Sequence, residues 1–182
     1  MQRAGAGETR GCHDCRAIRG AHVAKLIHYI DLGRYFTGRT PVRVKATTAR
    51  VPGQVAVSPM IYTINCEYEP EAQVMTTLHF NNIVPTGALH RYEWFVDGTE
   101  GSLCASSSEL VVSFKDNPHQ KQVFALHGRW FPEAFGGSMG EMMTALTERC
   151  EPQTSGRDNL NSIRIAYAAV ESSQTGRAVE LA

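Results

Sequence analysis

His28 and Asp31 stand three residues apart in a stretch of helical periodicity. On a helix, residues at that spacing are neighbours on one face. An imidazole beside a carboxylate can move a proton near neutral pH, because the carboxylate fixes the ring's tautomer and stabilises its charged form. The pair falls on the flank away from the apolar stripe of Leu26 and Ile30, with Tyr35 on the same side. The same spacing also describes a plain ion pair on a helix surface, and the residues themselves leave both readings open.

Other stretches carry chemical patterns without the surroundings they need. Gly5-Ala6-Gly7 and Gly11 suggest a dinucleotide fingerprint. Too few residues precede Gly5 for the strand that must deliver such a turn. Gly136-Gly137-Ser138-Met139-Gly140 matches a nucleophile elbow, but all seven histidines precede Ser138, whereas an α/β-hydrolase places its base after the serine. Cys12-His13-Asp14-Cys15 is a single knuckle; with His22 it makes three ligands at most, one short of a structural zinc site. His79 and His90 lie in strand-like runs, where an imidazole either lines a surface or is satisfied within the sheet.

The elements that must hold these residues follow from periodicity. Val23, Leu26, Ile27, Ile30 and Gly33 share one helical stripe, which predicts a helix from Ala21 to Thr37, stopped by Gly38 and kept from resuming by Pro41. Val42, Val44 and Ala46 then alternate with polar residues, as a half-buried strand does. Further alternating runs are Tyr62/Ile64/Cys66/Tyr68, Val74/Leu78/Phe80, His90/Tyr92/Trp94/Val96, Leu110/Val112/Phe114 and Phe124/Leu126. The His90-to-Val96 face reads either as core or as an interface between copies. Short links such as Asp97-Gly98 make these six or seven strands mostly antiparallel. A helix entered at Pro132 carries Phe135, Met139, Met142, Met143 and Leu146. A second carries Leu160, Ile163, Tyr167 and Val170 as its apolar stripe and stops at Gly176, and a last short strand follows within residues 177–181. The fold class expected is α+β, an open, mainly antiparallel sheet with helices packed on one face. Residues 1–20 read as a tail or linker and residues 21–182 as one domain.

Composition narrows the function. The 182 residues contain 18 Lys plus Arg and 18 Asp plus Glu, a formal net charge of zero. A neutral chain lacks the broad basic field of nonspecific nucleic-acid binding. No apolar run approaches the length of a membrane span, and the first twenty residues hold no apolar core of a secretory signal. Five sparse cysteines in a chain of this size point to a reducing, cytoplasmic compartment.

Four blocks, in order, resemble the Gfo/Idh/MocA oxidoreductases. The run from His28 to Gly38, continuing from Pro41 to Ala46, is similar to the family's H-x-x-D-L…R-y…G…V-x-A block. Asp97 to Leu103 resembles its G-t-x-G-s-l turn, and Trp130 to Phe135 with Gly137-Ser138-Met139 its w-f-p-d-a-F…s-M segment. Glu151-Pro152, Ser155-Gly156, Asp158 and Ser172 to Leu181 resemble its closing e-P…s-g-x-d…S…t-G-r-x-V-x-l. The resemblance implies the C-terminal substrate-binding and oligomerisation domain. NAD(P) would be held by an N-terminal Rossmann domain whose E-K-P-type lysine is catalytic; neither is present in this sequence, so the chain alone is expected to bind no cofactor and to be inactive. By the same resemblance His28 relays the proton while hydride passes between a hydroxyl carbon and nicotinamide, and Asp31 holds that helix or that histidine in place. Ala24 stands where many members carry an Asp. The implied partners are a sugar, cyclitol or related polyol and a second copy bound through the sheet face. The alternative is a module that binds polyol or dimerises without chemistry.

Overall fold

A computed structural model of the chain describes residues 21–54, 58–84, 86, 88, 91–128, 130–153 and 155–181. The glycine-rich stretch at Gly5, the Cys12–Cys15 knuckle and His90 lie outside the described residues. Two compact units are formed, one comprising the chain up to Ile83 together with the stretch from Thr154 onward, the other Val84–Gln153.

The first unit is a helix–sheet sandwich. Helix α1 spans Ala21–Thr37, the bounds that its periodicity predicts, and Gly38 takes the left-handed conformation (φ +63°) that ends a helix at low cost. Strands β1 (Arg43–Ala49), β2 (Ile61–Glu67) and β3 (Met75–Asn81) follow as an antiparallel meander. Helix α3 (Gly156–Thr175) returns across them, and β8 (Val179–Glu180) pairs with β1, giving the order β3-β2-β1-β8. Helix α3 packs on β1 and on α1. Val44, Ala46, Tyr62, Ile64 and Cys66 point to the helices and are buried; Thr47, Thr63, Thr77 and His79 alternate with buried or half-buried neighbours on the opposite face. Burying each Val, Leu or Ile of this layer stabilises the fold by about 1.5–3 kcal/mol.

The stripe expected on α3 is not the one that packs. Leu160 and Tyr167 are exposed, and the buried residues are Ser162, Ile165, Ala166, Ala168, Ala169 and Ser172. A helix wedged against both a sheet and another helix has little room beneath it, so small side chains occupy its inner face and the large ones are left outside.

The second unit is a four-stranded antiparallel meander, β4 (Trp94–Asp97), β5 (Gly101–Ala105), β6 (Glu109–Phe114) and β7 (Gln122–Ala125), with helix α2 (Phe135–Glu148). Asp97-Gly98 makes the expected turn, closed by Gly98 N–H donating to Gly101 C=O at 2.9 Å. A Cβ on Gly101 would come within 2.3 Å of the Ser113 carbonyl oxygen, so only glycine fits beside β6. Cross-strand pairing gathers Trp94, Val96, Leu103, Leu110, Val112 and Phe124 on one sheet face. The strand starts at Trp94, and Tyr92 lies before it, exposed. Pro132 does not open α2 as expected. It sits in a wide turn over Trp130–Ala134, with Phe131 extended (φ −130°, ψ 131°), because a residue preceding proline is pushed out of the helical region. The helix begins three residues later, at Phe135. The class is therefore α+β with antiparallel strands and helices on one face of the first sheet, and the strands are shared between two sheets.

Candidate functional site

His28 leaves α1 on the side opposite Leu26 and Ile30. Those two residues are buried against the sheet, and a rotation of about 100° per residue turns His28 straight outward. Its side chain is exposed. The polar contacts further along this helix join it to α3.

Asp31, one turn on, faces α3 across the seam between the helices. Its Oδ1 accepts a hydrogen bond from Ser162 Oγ at 2.9 Å, and the Arg34 guanidinium lies 3.6 Å away. Arg34 Nη2 donates to Asp158 Oδ1 at 2.6 Å, and Nη1 donates to Asp158 Oδ2 and Ser162 Oγ, each at 3.0 Å. This forked pairing suits a planar guanidinium. Through these contacts Asp31 ties α1 to α3.

The electrostatics follow from that geometry. The hydrogen bond from Arg34 holds the Asp158 carboxyl below the usual carboxylate range. Arg34 in turn is raised, first by its bond to Asp158, with burial opposing. Asp158 occupies the first turn of α3, where the helix dipole favours a negative charge, and its backbone N–H donates to the N-cap Ser155 Oγ at 3.2 Å. Two charged residues thus close the helix end and the seam together.

Arg34 and Asp158 both stand in the blocks that carry the family resemblance, but periodicity assigned them no role. The signal available was their opposite charge on two helices; the pairing joins positions 124 residues apart and depends on the tertiary fold. Ser162 gave no signal, since a serine inside a helix is ordinary until a neighbouring carboxylate makes it a donor.

The other candidates part from this seam. His79 Nδ1 lies 2.9 Å from Thr63 Oγ1 on the outer sheet face, a satisfied cross-strand contact. Ser138 Oγ donates to the Ala134 carbonyl at 3.3 Å within its own helix. A cavity of about 330 Å³ opens between α1, α3 and the sheet, walled by Leu26, Ala46, Tyr62, Ile64, Ala169 and Val170. It lies on the sheet side of α1, away from His28. Every strand pair among the described residues is antiparallel. A dinucleotide cradle of the Rossmann kind needs a parallel βαβ unit with its glycine turn, and the described residues form no such cradle for NAD(P).

Comparison with known proteins sets this geometry in context. The model of an oxidoreductase family's C-terminal alpha/beta domain, that of the Gfo/Idh/MocA proteins, matches residues 16–181. D-apiose dehydrogenase of Paraburkholderia graminis is 28% identical over 163 residues, spanning 85% of this chain and 43% of that protein. An oxidoreductase from Agrobacterium radiobacter, solved with NAD+, L-tartaric acid and magnesium, superposes with a TM-score of 0.71 at 22% identity, over 85% of this chain and 47% of that one. Levoglucosan dehydrogenase in complex with NADH and L-sorbose gives 0.71 at 17% identity, over 85% and 48%. The structural likenesses show the shared fold. The chain spans about half the length of the relatives it matches.

Proposed function

The chain belongs to the Gfo/Idh/MocA oxidoreductase family, and from that premise we propose that it supplies the substrate side of an NAD(P)-dependent dehydrogenase acting on a sugar, cyclitol or related polyol. Support for the substrate class comes from the relatives, whose names are those of D-apiose and levoglucosan dehydrogenases. The observation that carries the reading is an exposed imidazole on a helix whose flank is clamped by Asp31, Arg34, Asp158 and Ser162.

In this reading His28 accepts the proton of the substrate hydroxyl as its carbon is oxidised, and returns it in the reverse direction. Asp31 is a positioning residue: it fixes the turn of α1 that presents the imidazole. Nicotinamide would supply the hydride acceptor, held by a separate nucleotide-binding half. The working assembly is a homo-oligomer joined through a sheet face, in the cytoplasm. Residues 1–182 by themselves should reduce neither NAD+ nor NADP+ with any polyol.

The second reading, a polyol-binding or dimerising module without chemistry, is favoured by Ala24 at the position where many relatives carry a carboxylate. One experiment separates them. With the chain joined to the nucleotide-binding half of its D-apiose dehydrogenase relative, turnover is expected, and His28→Ala should lower kcat by about 10² or more. Turnover that ignores the substitution removes His28 from the mechanism. A chimera that folds, binds NAD(H) and polyol, and still does not turn over supports the module.

A further inference from the structure

Helix α2 is amphipathic, yet its apolar face is turned to solvent. At about 100° per residue, Phe135, Met139, Met142, Met143 and Leu146 fall within one arc of about 100°, with Glu141, Thr144 and Glu148 opposite. Those apolar side chains are exposed, from 45% at Met142 to 73% at Leu146. A helix of 14 residues is marginal in water by itself, and Gly136, Gly137 and Gly140 each weaken it relative to Ala. None of the three has a positive φ, and among the described residues a Cβ on any of them would meet nothing within 4 Å. The chain itself therefore gives no reason for glycine here, whereas a surface that approaches closely does. Gly136 and Gly140 lie one turn apart along the border of the apolar arc. Within the chain, α2 packs chiefly on the turn Trp130–Ala134 that precedes it rather than on a strand.

We propose that α2 of one copy lies on the β4–β7 face of a second copy, and reciprocally; the inference rests on the oligomer proposed above and names what covers its sheet. That face carries Trp94, Val96, Leu103, Leu110, Val112 and Phe124, with Val96 and Phe124 exposed. The dimensions agree. The arc from Phe135 to Leu146 is about 16 Å long, and the four strands span about 15 Å from first to last. Large rings at Trp94 and Phe124 suit a helix bordered by glycine. A helix laid on a sheet buries the apolar face of each. Because one chain carries both surfaces, a two-fold pair satisfies both copies and closes. The area is sufficient as well. Five side chains of roughly aromatic size, about half or more exposed, put about 500 Å² of apolar surface on each helix. Two such contacts, counting helix and sheet, bury about 2,000 Å², the upper end of a standard specific interface.

The test is sedimentation of the chain, residues 1–182, and of two variants, Met142→Lys on the helix and Phe124→Glu on the sheet. The natural chain is expected to dimerise. Each variant alters an exposed residue, so each should be monomeric with unchanged circular dichroism. Mixed in equal amounts, the two variants should dimerise again. In the mixed pair one helix–sheet contact is intact, and the other sets Lys against Glu. A dimer that survives Met142→Lys overturns the inference and leaves the sheet-face oligomer standing. So does a mixture that stays monomeric, since only exchange between unlike surfaces restores a contact by mixing. A natural chain that is monomeric at all concentrations removes the oligomer and the inference together.

Discussion

Ser172 is fully buried because a backbone group needs it. Strand β8 pairs with β1 only at Arg43 and Val44, so the next inward amide on that edge, Ala46 N–H, has no strand partner. Ser172 Oγ accepts from it at 2.9 Å and donates to the Arg177 carbonyl at 2.6 Å, closing both accounts from the last turn of α3. Ser172→Ala should cost about 1–3 kcal/mol, the penalty of stranding a buried polar group, measurable as a lower urea midpoint with an unchanged m-value. Ser173→Ala, one residue on and hydrogen-bonded only to its own helix, should cost far less. Two buried acids set the alkaline limit. Burial pushes the Cys66 thiol up to about 11 and the Tyr62 phenol up to about 12. The unfolded chain releases these protons at lower pH than the folded one, so stability should fall as pH rises from the ordinary thiol range through those values. Tyr62→Phe should flatten the upper part of that decline, and an unaltered curve would show that the phenol is not held neutral by the core.

At the scale of elements, the seam between α1 and α3 is the feature to probe. The Arg34 side chain is only 11% exposed and donates across it to both Asp158 and Ser162. Arg34→Met should destabilise the fold by about 2–3 kcal/mol, because it leaves Asp158 and Ser162 Oγ without the donor they share and Asp31 without its neighbouring positive charge. Asp158 is more open, and solvent screening limits its own share to about 1 kcal/mol or less. The direction of its shift still sets a sign. A carboxylate held below its usual range contributes stability above the unfolded value and loses it as pH falls through the folded one. Acid unfolding of Asp158→Asn should therefore be less steep in that window than that of the natural chain; identical acid limbs would mean the pair adds nothing. Helix α1 was legible in full, since its stripe, Gly38 and Pro41 are all local signals. Helix α3 was legible in extent but not in facing, because periodicity weighs large apolar residues, whereas the tight layer beneath it selects Ala and Ser.

For the molecule as a whole, the second sheet raises the question of what covers it. Its Trp94, Val96, Leu103, Leu110, Val112 and Phe124 share one face, and Phe124 is half exposed. Val96 and Phe124 are its exposed members, the place to test the proposed oligomer. Sedimentation of the natural chain should show a concentration-dependent dimer or larger species, and Phe124→Glu should shift it to monomer while leaving the circular dichroism intact. A natural chain that stays monomeric at all concentrations would set that proposal aside.

The sequence by itself determined the family blocks, the α+β class, the bounds of α1, the alternation of the first three strands and the glycine stops. These are written in neighbouring residues, through helical or two-residue period and through turn chemistry. It also brought His28 and Asp31 forward, because a helix places residues three apart side by side wherever it sits. Only the tertiary structure decided what Asp31 meets, that Arg34 and Asp158 clamp the helices, that Ser172 completes a strand edge, and that Tyr167 stands outside. Each of these depends on which surfaces meet after the chain has folded back on itself. A contact across more than a hundred residues leaves no periodic trace, since either partner alone looks like an ordinary polar or aromatic residue on a helix.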